Sequence, residues 1–313
     1  MLPSRRLAYH AAAVSLAMGL GAASAHAETF ALVTINQQAL FFNQINDGAQ
    51  AAADAAGADL VIFDANNVPS AQNTAIENYI TQKVDGIILV AIDVNGVKPA
   101  ITEAKEAGIP VVAIDAQIPD GDNVSFIGVD NTAAGEEIGK FYADYVASEM
   151  DGEATVGVVG ALNSFIQNQR LDGFKAAAKA GDAEVTFLDT VDGRNIQDVA
   201  LGAAENLMTA NPTMKTLYAT GEPALIGAVS AVESQGRQDD IKVFGWDLTE
   251  QAVKGIDEGW VVAVVQQDPA AEGKAAVEAL MTLSGGGSVE PIINIPVTIV
   301  TKDNVDDFRG MFQ

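Results

Sequence analysis

Cysteine is absent from this chain of 313 residues. No disulfide can form, so the fold must hold by packing alone. No thiol is present for catalysis, metal binding or lipid attachment. Histidine is nearly absent as well. The two that exist, His10 and His26, both lie ahead of residue 28. From residue 28 onward the chain therefore offers neither thiol nor imidazole, which excludes Ser-His-Asp and Cys-His nucleophilic catalysis and His-ligated metal sites. Carboxylate pairs of the glycosidase kind are the catalytic class that this composition leaves open. Basic charge is scarce too: 17 Lys and Arg stand against 42 Asp and Glu, for a formal net charge of −25. A field of that sign repels nucleic acid and anionic membrane surfaces. Its ordinary role is solubility, and it identifies no ligand.

The chain opens on the pattern of an export signal. Arg5 and Arg6 form a positive start, Ala11 to Ala23 is apolar, and Ala25-His26-Ala27 supplies the small-x-small cleavage pattern. The apolar stretch is shorter than the roughly 20 residues that cross a bilayer. Residues 1–27 are thus expected to be a cleaved signal peptide. The bulky residues that follow a twin-arginine pair are missing, so ordinary Sec export is expected. Beyond the leader no run is long and apolar enough to span a membrane. An exported chain without a lipid-bearing cysteine should diffuse freely, which points to a Gram-negative periplasm.

Past the leader, short apolar runs alternate with helical stretches. Strands are predicted at Thr29 to Ile35, Leu60 to Asp64, Gly86 to Ala91, Val111 to Ile114 and Val124 to Ile127, with helices over about 42–56, 70–83, 97–107 and 132–148 between and after them. Runs such as Ile87-Ile88-Leu89-Val90 fit strands buried on both faces of a parallel sheet. A second series follows Gly152, with strands near Thr155, Val185, Thr216, Val243 and Val261 and a last one near Val297 to Val300. Strict alternation implies right-handed βαβ units. The expected fold class is α/β, with two doubly wound parallel-sheet lobes. No Ser- or Pro-rich linker separates the series, so several close chain crossings should join the lobes as a multi-strand hinge.

Dinucleotide binding needs G-x-G-x-x-G after the first strand. Here that turn reads Asn36-Gln37-Gln38-Ala39-Leu40-Phe41, without a glycine, and no Walker A sequence occurs. No cofactor is expected. In open α/β sheets ligands bind beyond the carboxyl ends of the strands. That rule selects Asn36, Gln38, Phe41 and Phe42 after the first strand, then Asp93 and Asp115. In the second series it selects Arg170, Asn195, Glu222, Asp247 and Gln267. Carboxylates accept from hydroxyls, Arg and amides donate to oxygens, and a flat ring packs on the apolar face of a sugar. A polyhydroxylated ligand suits this set. Each residue also has a structural reading: Phe41 and Phe42 can staple a helix to the core, Asp115, Asp247 and Asn195 can cap the helix that follows, Arg170 can form a surface ion pair, and Asp93 and Glu222 can be solvated.

In order and spacing these residues resemble the type I periplasmic sugar-binding proteins, most closely the ribose-binding-like family. The resemblance runs over essentially the whole chain after the leader. It is carried by Ala31-Leu32-Val33 through Phe41-Phe42 to Asp47-Gly48-Ala49-Gln50, by Gly108 to Asp115, by Asp130-Asn131 with Gly135, and by Arg170 with Gly173-Phe174. Asn206-Leu207 through Asn211-Pro212, Phe244-Gly245-Trp246-Asp247 and Gln267 continue it. The resemblance implies that Phe41 and Phe42 pack on a sugar ring and that Asp115, Arg170, Asp247 and Gln267 are polar contacts. Asn195 falls where ribose binders place an aromatic residue. Ala116 stands where they have a second Arg, Gly221-Glu222 where they have Asn-Asp, and Ile35 and Ala39 replace two polar contacts.

Those departures count against ribose itself and favour a neutral sugar, a deoxy sugar or an open-chain polyol. The resemblance further implies lobes at 28–129 with 268–297 and at 130–267 with 298–313. It implies a monomer that closes on its ligand and docks on the permease of an ABC transporter in the inner membrane, with no enzymatic activity. A receptor of the same fold that reports a sugar-like signal to a chemoreceptor or sensor kinase is the alternative. A periplasmic carboxylate hydrolase using Asp115 and Asp247 is the remote one.

Overall fold

The computed structural model describes residues 27–37 and 40–312. Residues 1–26 of the leader, Gln38 and Ala39 therefore lie outside the described residues. Parallel strands β1 (Thr29–Thr34), β2 (Asp59–Asp64), β3 (Gly86–Leu89), β4 (Val111–Ile114) and β5 (Ser125–Gly128) form one sheet. Helices α1 (Leu40–Ala56), α2 (Pro69–Gln82) and α3 (Lys98–Glu106) lie between them. After α4 (Asn131–Glu149) the pattern repeats in a second sheet: β6 (Glu153–Gly160), β7 (Glu184–Asp192), β8 (Thr216–Ala219), β9 (Lys242–Trp246) and β10 (Val261–Gln266). Its helices are α5 (Phe165–Ala180), α6 (Gln197–Ala210), α7 (Glu222–Ser234) and α8 (Glu250–Glu258), with α9 (Pro269–Ser284) after β10.

Two further strands complete the sheets. β11 (Ile292–Asn294) joins the first, parallel to β5, and β12 (Thr298–Val300) joins the second, antiparallel to β10. The orders are β11-β5-β4-β3-β1-β2 and β12-β10-β9-β8-β6-β7, the same order with each of the first five labels raised by five. The inner strands β3, β4, β5 and β8 are buried along their whole length. That is why β3 and β4 read as unbroken apolar runs.

Connections between the lobes are exchanged. α4 leaves the first sheet after β5 yet packs along α5 of the second. α9 leaves the second sheet after β10 yet packs along α1 of the first. The β11–β12 link is a third crossing. The exchanged helices sit very close to their hosts. A Cβ on Gly48 would stand 2.0 Å from the Ala270 carbonyl oxygen, and one on Gly273 would stand 2.0 Å from that of Ile45. Across α4 and α5, a Cβ on Gly135 would lie 2.3 Å from the Arg170 carbonyl, and one on Gly173 2.2 Å from that of Thr132. Among the described residues no helix is long and apolar enough to cross a membrane.

Candidate functional site

A cavity of about 790 Å³ opens between the carboxyl ends of the two sheets. The sheets aim equivalent residues at it. Asp115 follows the last residue of β4 and Asp247 follows the last residue of β9. Both adopt left-handed backbone, with φ of 62° and 64°. Each still donates its N–H to the neighbouring strand, Asp115 to Ile127 at 3.0 Å and Asp247 to Val265 at 2.8 Å. A residue with a side chain holds that conformation at a cost of about 1–2 kcal/mol, and strain of this kind collects where geometry serves a site. Asp247 does not cap the helix that follows it: Thr249 is the N-cap of α8, its hydroxyl accepting from Ala252 N–H.

Arg170 is the buried cation at the centre, 7% exposed. Its Nε donates to Asn131 Oδ1 at 2.8 Å and one terminal nitrogen to the Thr220 carbonyl at 3.3 Å. That same nitrogen pairs with Asp247 Oδ2 at 3.5 Å, and the guanidinium carbon lies 3.9 Å above the Trp246 ring. Trp246 is itself fixed, donating its indole N–H to Tyr218 at 2.7 Å. Gln267 Nε2 donates to the other oxygen of Asp247 at 2.6 Å. Each Asp247 oxygen thus has one protein partner and a lone pair to spare for a ligand hydroxyl.

The field of the site is set by carboxylates crowded into one cleft. Burial pushes Asp115 up to about 6; Arg170 pulls it down and Asp247 pushes it up. Glu222 is also raised, first by burial and then by Asp247. A further anion would meet this repulsion with only Arg170 as buried counter-charge. Groups that both donate and accept, without net charge, fit better. Among the described residues no cluster of three or more His, Cys, Asp or Glu side chains is placed to hold a metal ion.

Of the residues picked out in the sequence, Phe41, Phe42, Asp115, Arg170, Asn195, Glu222, Asp247 and Gln267 line this one cavity. Phe41 and Phe42 open α1, their rings edge to face with centroids 5.4 Å apart. Asn195 also has left-handed backbone, φ 57°, and its Oδ1 accepts from Gln167 Nε2 at 2.8 Å. Asn36 and Asp93 do not line the cavity. Asn36 Nδ2 reaches Asn67 Oδ1 at 3.4 Å. Asp93 Oδ1 accepts from Asn95 and Gly96 N–H, both at 3.0 Å, so the carboxylate closes its own turn.

Sequence reasoning passed over Gln167, which is 8% exposed. Its Oε1 accepts from the Thr220 hydroxyl at 2.6 Å and from Ala161 N–H at 3.2 Å, while its Nε2 holds Asn195. A signal existed. Gln167 stands three residues before Arg170, one turn away on the same helix face. Met311 and Phe312 also line the cavity, and nothing in the sequence placed them there.

Comparison with known proteins gives the family. The family described as periplasmic binding protein domain matches residues 30–288. The ribose import binding protein of Escherichia coli strain K12 is 28% identical over 299 residues, spanning 95% of this chain and 99% of that one. A xylitol-binding protein of Mycolicibacterium smegmatis is 27% identical over 294 residues, 93% of this chain and 82% of the other. Among solved structures, a sugar-binding protein of a sugar ABC transporter from Bacillus halodurans superposes with a TM-score of 0.82 at 26% identity. It covers 90% of this chain and 100% of its own.

Proposed function

The chain belongs to the periplasmic binding protein domain family, among the type I sugar-binding proteins, and from that premise we propose that it captures a neutral sugar or sugar alcohol in the cleft between its lobes. The lobes are 28–129 with 268–297 and 130–267 with 298–313. After export and removal of residues 1–27, the protein works as a periplasmic monomer without a cofactor. It closes on its ligand and delivers it to the permease of an ABC transporter in the inner membrane.

One observation carries this reading. Equivalent left-handed turns bring Asp115 from one sheet and Asp247 from the other to one cavity, with Arg170 as its buried cation. Two carboxylates facing each other across a cleft repel, so closure needs a group between them that donates to both. Vicinal hydroxyls do this, and hydrogen bonds to charged partners contribute roughly 1.5–3 kcal/mol each. Phe41 and Phe42 offer an apolar face for the carbon side of the same ligand. Similarity to proteins named for ribose and for xylitol supports a neutral polyol skeleton. A ligand that bridges the lobes stabilises the closed form by its differential affinity for it.

The test is a melting experiment on protein unfolded and refolded to strip carried ligand. The panel is D-ribose, 2-deoxy-D-ribose, D-xylose, D-galactose, xylitol, myo-inositol and D-gluconate. A true ligand at 100 times its Kd stabilises by about 2.7 kcal/mol. A strong shift with one neutral compound is expected. A shift with D-gluconate alone, or none at all, would sink the proposal.

A further inference from the structure

The cavity wall includes a segment that belongs to none of the strand-end loops. The 3-10 turn Val305–Phe312 brings Met311 and Phe312 into the lining. The turn is tightly fixed to the second lobe. Arg309 forks onto Asp257 of α8, its two terminal nitrogens 2.7 and 3.1 Å from the carboxylate oxygens, and its Nε lies 2.6 Å from Asp306. A bidentate pair of this kind sets orientation as well as distance. Val305 is 2% exposed, and Phe308 and Phe312 pack on the apolar core of the second lobe. Asn304 ties the start of the turn to the end of β12, accepting from Thr301 N–H at 2.8 Å and donating to the Ile299 carbonyl at 3.1 Å. The turn therefore moves with the second lobe as one body.

The chemistry of the wall shows what the turn adds. Polar groups dominate the second lobe's share of the cavity, led by Arg170, Asp247, Glu222 and Gln267. The aromatic rings Phe41 and Phe42 both come from the first lobe. Among the described lining residues, Phe312 is the aromatic ring that the second lobe contributes. An aromatic ring is large, rigid and cheap to order, so it gives more contact per immobilised bond than a flexible chain.

We propose that Phe312 and Met311 are ligand-contacting residues, giving from the second lobe the apolar surface that Phe41 and Phe42 give from the first. This rests on the sugar or polyol reading of the cleft. Because the turn rides on the second lobe, its contact with a ligand seated on Phe41 and Phe42 forms on closure. Phe312 thereby weights the closed form and sets ligand choice at the second-lobe side of the cleft. Arg309 is a positioning residue: it touches no ligand and holds the turn in place.

The experiment is calorimetric titration of the refolded wild type with D-ribose, D-xylose, D-galactose, xylitol and myo-inositol, repeated on variants with the tightest binder. Phe312→Ala should weaken binding about tenfold, in the range of a truncated interface aromatic. Phe312→Tyr should restore most of the affinity. Phe312→Leu keeps apolar packing on the core without the ring and should fall between, which covers the case where the alanine variant folds poorly. Arg309→Ala should weaken binding a fewfold although it lies outside the cavity. In Phe312→Trp the added fluorescence, read as the difference from wild type, should shift on ligand addition. Affinities of Phe312→Ala and Phe312→Leu within twofold of wild type, with an unmoved Phe312→Trp emission, would overturn the inference while leaving the sugar reading intact. A wild type that binds none of the five compounds, nor 2-deoxy-D-ribose, would overturn the sugar reading, and the inference with it.

Discussion

Arg170 shows how much one residue can carry. It is buried, stacked on Trp246, and bonded to Asn131, Thr220 and Asp247. Arg170→Ala strands Asp247 without its cation and removes a donor from the cleft. Breaking a buried pair from one side costs up to about 3–5 kcal/mol of stability, so the ligand-free protein should melt earlier. Losing a charged donor to the ligand costs roughly 1.5–3 kcal/mol, so affinity in a calorimetric titration should fall by about one to two orders of magnitude. Asp115 gives a pH signature. Burial raises it to about 6, so a ligand that needs its carboxylate as acceptor should bind evenly above pH 7 and lose affinity as pH falls through 6. Asp115→Asn should bind weakly and without that pH dependence.

Glu272 gives the opposite experiment, one on stability. It is 1% exposed in the first turn of α9, and among the described residues neither carboxyl oxygen has a hydrogen-bond partner. Burial raises its pKa well above 4.5; Asp115 and Asp268 push it further and Arg170 opposes them. The folded state therefore holds a proton that the unfolded chain releases above about pH 4.5. Folding stability is lost as pH rises from there toward the raised value. In thermal melts from pH 4 to 8, Glu272→Gln should gain on the wild type steadily with pH. A constant difference across that range would contradict a buried neutral acid.

The residues at strand ends were legible because the α/β pattern fixes where strands stop, and Asp115 and Asp247 are the first polar residues after unbroken apolar runs. Asn36 and Asp93 satisfy the same rule yet bond elsewhere, Asn36 to Asn67 and Asp93 within its own turn. Strand position gives the loop, while backbone dihedrals decide where its side chain goes. Glu272 was not legible. Its burial comes from α9 crossing to the other lobe, a tertiary event that local pattern does not encode.

At the level of elements, four glycines explain why exchanged helices can dock at all. Gly48 and Gly273 let α1 and α9 touch backbone to backbone, and Gly135 and Gly173 do so for α4 and α5. All but Gly273 fall within the stretches that carried the sequence resemblance, so part of that resemblance is packing geometry rather than chemistry. Gly273→Ala would drive a methyl to 2.0 Å from the Ile45 carbonyl oxygen. Overpacking of this kind costs typically about 1–3 kcal/mol, visible as a lowered denaturation midpoint. Gly202 is the control. It lies within α6 with nothing inside 4 Å of its added Cβ, so Gly202→Ala should stabilise by up to about 1 kcal/mol. Two elements escaped the sequence pass. β11 is three residues between Pro291 and Pro296, and prolines mark loops. It is a strand because the edge of β5 is there to pair with it. The turn over 305–312 places Val305, Phe308 and Phe312 at i, i+3 and i+7, a short apolar period that was passed over, and is held by Arg309 and by packing on the second lobe.

The whole molecule is one topology used twice. Each sheet has the same strand order, and each lends a helix to the other. The duplication was legible as a restart of strand–helix alternation after Gly152, and the missing linker pointed to several close crossings rather than one tether. Duplication has a functional consequence. Equivalent strand ends face each other, so the two lobes present acids of the same kind to one space. On the proposed function, closure against that repulsion is driven by whatever enters the cleft.

The most direct test of that account is small-angle X-ray scattering on the refolded protein, titrated with the neutral sugar or polyol that gives the largest melting shift. The radius of gyration should fall and saturate at the same ligand concentration as the melting shift, and Arg170→Ala should show neither change at that concentration. Tight binding with an unchanged radius of gyration would contradict the account, because the ligand would then be held by one lobe and would not bridge the two.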